Sequence, residues 1–234
     1  MGKLIVVSGG TRGIGRAIIE KFANEGFDVA VSARNENDLS NLKRSIEAQY
    51  SVQCHIYRAD MSVKSEVEAF VKFVRNLNQP VEVLVNNAGL FIAGNVHDAP
   101  DGAIESQIET NLYSAFYLTK GLAEGMKERR NGYIFNICSI ASLIAYPNGG
   151  LYAISKFAML GFSKSLREEM KPYGVRVSSI MPGAVLTDSW AGVDLPKERF
   201  IQPQDVADTI WTAFSLTKSA VLEEIIIRPQ EGDI

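Results

Sequence analysis

Histidine and cysteine are nearly missing from this chain of 234 residues, which has two of each. Cys54 and Cys138 both lie in apolar, strand-like runs, which suits buried thiols in a reducing compartment and not a disulfide framework. His55 and His97 show no paired spacing, and His55 sits beside Cys54 on a strand, where neighbours point to opposite faces, so no metal site is expected. An excess of positive charge is missing as well: 24 Lys and Arg stand against 27 Asp and Glu, for a net charge of −3. No overall field exists to gather nucleic acid or an anionic membrane. No apolar run approaches the roughly 18 residues of a membrane span. The opening MGKLIVVSGG is too short an apolar stretch for a secretion signal, and Val6 breaks the myristoylation pattern. These absences lead to the expectation of a cytoplasmic protein with neither a nucleic-acid nor a membrane partner.

Linkers, repeats and low-complexity tracts are absent too, and what fills the chain is an alternation. With 46% hydrophobic and 22% charged residues, the composition suits one well-cored domain over residues 1–234. Apolar runs of strand length recur at 3–8, 28–33, 53–58, 82–87, 133–138, 175–181 and 223–228. Their barely alternating Val and Ile content predicts strands buried on both faces. Between them, helical patterns run over 14–25, 36–49, 63–77 with Ser62 as a cap, 101–128, 152–171 and 204–216. Strand and helix in strict turn predict an α/β fold: a doubly wound, Rossmann-type parallel sheet of about seven strands between two helical layers. Ligands of such sheets bind at the carboxyl ends of the strands.

The first such end is Ser8-Gly-Gly-Thr-Arg-Gly-Ile-Gly15. A glycine turn between strand and helix is common, yet here backbone N–H groups and the helix dipole can meet a pyrophosphate. Gly9 permits the sharp exit, Gly13 a close approach of phosphate, and Gly15 a helix lying near the sheet. An NAD site would place an Asp or Glu on the adenosine ribose about 20 residues further on. The second strand ends Ser32-Ala33-Arg34-Asn35, with no carboxylate. Arg34, joined by Arg12 from within the loop, is suited to a 2′-phosphate, so the pair predicts NADP(H).

Later strand ends carry groups fit for carbonyl chemistry. Tyr152-Ala-Ile-Ser-Lys156 puts a phenol and an ammonium on one helical face, where the cation is expected to lower the phenol's pKa toward the general acid–base range. Ser139 closes the fifth strand, thirteen residues earlier, and can share a carbonyl oxygen with Tyr152. It is also placed to do no more than turn the chain. Asn86-Asn87-Ala88-Gly89 closes the fourth strand, as an ordinary turn or as a wall of the nucleotide site.

Taken together, SGGTRGIG, Asn86 to Gly89, Asn111 within ETNLYSAF, Ser139, Tyr152 with Lys156, and Pro182-Gly183 leading to Thr187 resemble the single-domain short-chain dehydrogenase/reductase family over residues 3 to about 190. The resemblance implies that Tyr152 gives a proton to a ketone oxygen and that Ser139 holds that oxygen. It implies that Lys156 binds the nicotinamide ribose and depresses the phenol, and that Asn111 holds a water linking Lys156 to solvent. It assigns the cofactor to Gly9, Thr11, Arg12, Gly13, Ile14 and Gly15 of the loop, to Arg34, Asp60 and Met61 around the adenosine, and to Asn87, Ala88 and Gly89. Pro182, Gly183, Val185 and Thr187 would border the carboxamide. Ser8 replaces the family's usual Thr, and either hydroxyl can bond the neighbouring loop.

The segment after Thr187 is short, which predicts a small substrate lid near 187–200, and the end of the chain departs from the family's VDGG-type segment. Both features are similar in outline to sepiapterin-reductase-like members. Tyr146 and Trp190 are expected as an apolar substrate wall, or Trp190 as packing for the lid. The resemblance implies an NADPH-dependent carbonyl reductase acting on a small-molecule carbonyl or alcohol, and a homodimer or homotetramer packed through the helices near 101–128 and 152–171. The alternatives are a 3-oxoacyl-carrier-protein reductase and a non-catalytic NADP(H)-binding sensor. A serine hydrolase is excluded, since Ile137-Cys-Ser-Ile-Ala141 is no GxSxG elbow and no histidine is placed as base.

Overall fold

Residues 2–190 and 192–234 are described by the computed structural model. Seven strands, β1 (Leu4–Ser8), β2 (Asp28–Ala33), β3 (Cys54–Arg58), β4 (Val81–Asn86), β5 (Tyr133–Ile137), β6 (Arg176–Pro182) and β7 (Glu224–Ile227), form one sheet in the order β3-β2-β1-β4-β5-β6-β7. Every pairing is parallel. The strand runs are Val- and Ile-rich because helices cover both faces, and β1 and β5 are buried throughout.

One face packs under α1 (Gly13–Asn24), α2 (Glu36–Gln49) and α7 (Pro203–Ser215), in a core that includes Ile18, Phe22, Leu42 and Ile210. The other packs under α3 (Lys64–Asn76), α5 (Ser114–Arg129) and α6 (Gly150–Met170), around Phe70, Leu118, Leu122 and Leu166. The edge strand β3 is closed off by α2: Glu47 accepts from the Cys54 N–H at 3.1 Å, and Lys43 donates to the Cys54 carbonyl at 3.0 Å. Among the described residues no helix is long and apolar enough to cross a membrane.

Most helix ends fall within a residue of the sequence pattern, and three departures are larger or change a cap. The predicted helix over 101–128 is two helices, α4 (Ala103–Ile108) and α5, joined by a π-helical turn over Glu109–Tyr113. The π turn adds a residue to the helical register, a change that hydrophobic periodicity does not report. The predicted start at Tyr152 moves back to Gly150. Val63, not Ser62, occupies the cap position of α3, because the Ser62 hydroxyl donates to Asp60 Oδ1 at 2.8 Å.

Strand order reverses between β1 and β4, and the crevice this leaves is bordered by the segments that follow β1, β4, β5 and β6. Those segments carry almost all of the expected site residues.

Candidate active site

The α1 N-terminus is built differently from that of α2. Asn35 caps α2, its Oδ1 accepting from the N–H groups of Asn37 at 2.9 Å and Asp38 at 3.2 Å. Arg12 occupies the equivalent place on α1 with an extended backbone and makes no side-chain capping bond, so the first amides of α1 receive no acceptor from it. Two glycines make the approach possible. Gly9 and Gly13 have φ of +68° and +54°; a Cβ at Gly9 would stand 3.1 Å from Ala88 Cα, and one at Gly13 would stand 3.0 Å from Thr187 Cγ2. The glycine loop therefore touches the segments after β4 and β6.

Ser8 fastens the segment after β4, as its replacement of threonine allows: its Oγ accepts from the N–H of Asn87 at 3.1 Å and of Ala88 at 3.0 Å. The Asn87 amide donates in return to the carbonyls of Ser8 at 3.0 Å and Gly9 at 2.8 Å. Asn87 and Ala88 thus brace the loop. Gly15 is buried, and a Cβ there would strike Asn87 Nδ2 and the Gly9 carbonyl, each at 2.5 Å. Thr11 is half-buried, and Ile14 packs against the core.

At the adenosine end, Arg34 is exposed beyond β2. Burial works to raise the Asp60 carboxyl, but hydrogen bonds from the Ser62 amide and hydroxyl, with the charges of Arg34 and Arg58, carry it below its ordinary value. Met61 is buried, its sulfur 3.5 Å from the Ser32 hydroxyl. Arg58 was not expected from the sequence. It pairs in register with Ala33 and so stands next to Arg34 at the same sheet edge. Only the β2–β3 register could have revealed it.

Arg12 has a different partner from the one its position suggests. Its Nη1 lies 2.8 Å from Asp188 Oδ2, with both side chains about 70% exposed (71% and 68%). It ties the glycine loop to the segment after β6. In that segment Pro182 ends β6, Gly183 N–H donates to the Ile227 carbonyl at 2.8 Å, Val185 is buried in a bridge with Ile201, and Thr187 lies against Gly13. Trp190 packs on Phe200 with ring centroids 5.4 Å apart.

The reacting groups meet where β5 and α6 converge. The Ser139 Oγ accepts from the Ala141 N–H at 3.1 Å, and the Ser142 hydroxyl accepts from the Ser139 N–H at 3.3 Å, so the serine is fixed from both sides. Burial pushes the Tyr152 phenol up to about 12, against a smaller opposing effect of Ser139. The expected lowering by Lys156 is not seen in this geometry. The ammonium lies over the ring face, 5.6 Å from its centroid, and donates to the Ile137 carbonyl at 2.8 Å. Burial pulls Lys156 below the usual lysine range.

Asn111 sits in the π turn and is 1% exposed. Its Oδ1 accepts from the Leu90 N–H at 2.6 Å, and its Nδ2 donates to the Leu90 carbonyl at 2.9 Å and to Ser155 Oγ at 2.8 Å. The side chain is a clamp on the segment after Gly89. Phe91, in that segment, meets the Tyr152 ring edge to face, at 5.2 Å between centroids and 83° between planes. Phe91 escaped the sequence reading because a lone aromatic in a loop carries no pattern.

This arrangement has counterparts. A family model described as short chain dehydrogenase matches residues 3–197. A sepiapterin reductase of Chlorobaculum tepidum is 31% identical over 242 residues, covering 100% of this chain and 99% of that protein. An uncharacterized oxidoreductase of Staphylococcus saprophyticus is 29% identical and covers 97% of each. Among solved structures, a metagenomic short-chain oxidoreductase in complex with NADP matches with a TM-score of 0.86 at 29% identity, over 98% of this chain and 97% of that one. The L-sorbose reductase of Gluconobacter frateurii, complexed with NADPH and L-sorbose, matches with a TM-score of 0.91 at 28% identity, over 97% and 95%.

Proposed function

The chain belongs to the short-chain dehydrogenase family, and from that premise we propose that it is an NADPH-dependent carbonyl reductase, turning a ketone or diketone into an alcohol by reversible hydride transfer. The observation that carries this reading is the meeting of a neutral phenol, a fixed serine hydroxyl and a buried ammonium at the strand ends, next to an uncapped helix N-terminus.

The residues present fit the cofactor. The α1 amides, left free by Arg12, form a cradle for a pyrophosphate, and the positive φ of Gly9 and Gly13 lets the loop turn there while it packs against Ala88 and Thr187. Arg34, with Arg58 beside it, supplies charge for a 2′-phosphate, and neither of the two residues that link β2 to α2, Arg34 and Asn35, is a carboxylate that could read a bare ribose. The relatives solved with NADP or NADPH support the same choice. Lys156 spends one N–H on Ile137 and keeps two donors for the nicotinamide ribose.

The reduced nicotinamide supplies the hydride when bound. Tyr152, held neutral by burial, donates its proton to the carbonyl oxygen as negative charge develops there. Because Ser139 Oγ already accepts from Ala141, its own hydrogen is free to donate to the same oxygen. Asn111 contributes by position, locking Leu90 and with it the floor of Ala88 and Gly89. Thr187 and Asp188 touch the glycine loop, which supports reading the short segment that they begin as the substrate lid. Exposed Phe116, Ile154 and Phe157 on α5 and α6 support a homodimer or homotetramer, which light scattering of the purified protein checks.

The decisive experiment mixes the protein with NADPH and a panel of ketones and 1,2-diketones while the absorbance of the reduced cofactor is followed. Turnover is expected with at least one of them. Tyr152→Phe is expected to lower it by more than about a thousandfold with NADPH affinity nearly unchanged. Tight NADPH binding without any turnover would instead identify a sensor.

A further inference from the structure

We propose that the substrate is an uncharged ketone bearing a flat ring, selected by a wall made of Phe91 and Tyr146; this rests on the reductase reading of the same site. Phe91 covers one side of the Tyr152 ring, yet 47% of it remains exposed. Tyr146 is 39% exposed, and partial burial, with the neighbouring Tyr152 phenol, raises it above its ordinary value. Leu143 and Ile144, close before Tyr146 in sequence, are also exposed. Aromatic rings left in this state at the mouth of a site gain most by covering another ring.

The wall is formed in advance. A short parallel bridge joins Gly94 to Gly149, with Gly94 N–H donating to the Asn148 carbonyl at 2.9 Å and Gly150 N–H to the Gly94 carbonyl at 3.2 Å. This stitches the segment of Phe91 to that of Tyr146. Glycine is required at two of the stitches: a Cβ at Gly149 would stand 2.2 Å from the Tyr146 ring, and one at Gly150 would stand 2.8 Å from Val96 Cγ2. The Tyr146 ring therefore rests on the Gly149 backbone.

Charge points the same way. Neither residues 90–100 nor residues 139–150 contain Lys or Arg. In sequence, the charges in and around these segments are mostly acidic: Asp98, Asp101 and Glu105 in or just after the first, and Asp188, Asp194 and Glu198 after β6, with Lys197 among the last. Arg12 is taken by Asp188, and Arg199 turns away to Glu231 at 3.4 Å and to the carbonyls of Gly232 and Asp233. Lys156 lies beneath the site on Ile137. A carboxylate on the substrate would be desolvated against apolar rings with no cation in place, and an acidic acyl carrier would meet like charge at the entrance. The 3-oxoacyl-carrier-protein alternative is disfavoured on this ground.

The test compares, under saturating NADPH, 1-phenylpropane-1,2-dione, its ring-carboxylated analogue, butane-2,3-dione and a 3-oxoacyl carrier protein. The neutral aryl dione is expected to exceed each of the others by about tenfold or more in kcat/KM. Phe91→Ala should collapse the aryl-to-butanedione ratio toward one, mainly through KM for the aryl dione, while Phe91→Tyr preserves it. Because the ratio is taken within each variant, a general loss of folded protein cancels. Equal or better use of the carboxylated or carrier-bound substrate, or an unchanged ratio in Phe91→Ala, overturns the proposal while leaving a reductase. Absence of turnover with every ketone, alongside NADPH binding, brings down the reductase reading and the wall's selectivity with it.

Discussion

Tyr152 and Lys156 share a helical face without sharing a hydrogen bond. The i,i+4 spacing was legible, but the spacing could not say that the ammonium would find the Ile137 carbonyl and that burial would govern the phenol. The sign of the shift matters for direction. A phenol near 12 is protonated throughout the neutral range, the form that a ketone reduction requires. The reductive kcat/KM is therefore expected to stay level from pH 6 to about 10, since the phenol keeps its proton until the pH approaches 12. A pH–rate profile that declines around neutrality would show that another group donates the proton. At the other end of the cofactor, Arg34→Asp removes one charge-assisted contact and adds a repulsion. NADPH should bind about 10- to 100-fold more weakly, with NADH little affected. A fluorescence titration giving an unchanged NADPH/NADH ratio would move the 2′-phosphate to Arg58 and Arg12.

At the scale of elements, alternation of strand and helix was readable almost to the residue, because buried parallel strands are Val- and Ile-rich and each helix has its own apolar stripe. Departures from the pattern were not readable. The π turn at Glu109–Tyr113 keeps a helical hydrophobic pattern while rotating Asn111 onto Leu90, a contact 21 residues away in sequence. Asn111→Leu, similar in size, would leave both Leu90 groups without partners and is expected to cost about 2 to 4 kcal/mol in urea unfolding. A cost under about 0.5 kcal/mol would mean that the clamp is not structural. Arg12 and Asp188 are separated by 176 residues, so their pairing was likewise invisible. An exposed pair of this kind contributes about 0 to 1 kcal/mol. Asp188→Asn should free Arg12 for the phosphate and tighten NADPH binding by up to about fivefold, less so at high salt. Weaker binding in that variant would show that Asp188 holds Arg12 in its working position.

The described residues form two large cores, one under each helical layer, and a smaller cluster beside α6, and both thiols are enclosed: Cys54 in the core under α1, α2 and α7, and Cys138, just past β5, in the smaller cluster with Met159 and Met181. Burial raises the Cys54 thiol from 9.0 to about 12 and the Cys138 thiol from 9.0 to about 11. Burial also raises Tyr133 above its ordinary value. The native state holds these protons where the unfolded chain releases them. Below pH 9 both states are protonated, and the stabilisation is fully present. Between pH 9 and 11 the unfolded state binds fewer protons, so stability must fall, by about 1.4 kcal/mol per pH unit for each thiol. The urea midpoint, measured under reducing conditions, is thus expected to hold steady from pH 7 to 8.5 and to drop steeply above 9. Cys54→Ala should begin from a lower midpoint, because it leaves a small cavity, but should decline less steeply with pH, because one linked proton is gone. A variant whose pH slope matches that of the parent would show that the alkaline loss comes from other groups, with Tyr133 and Tyr152 the next to be examined.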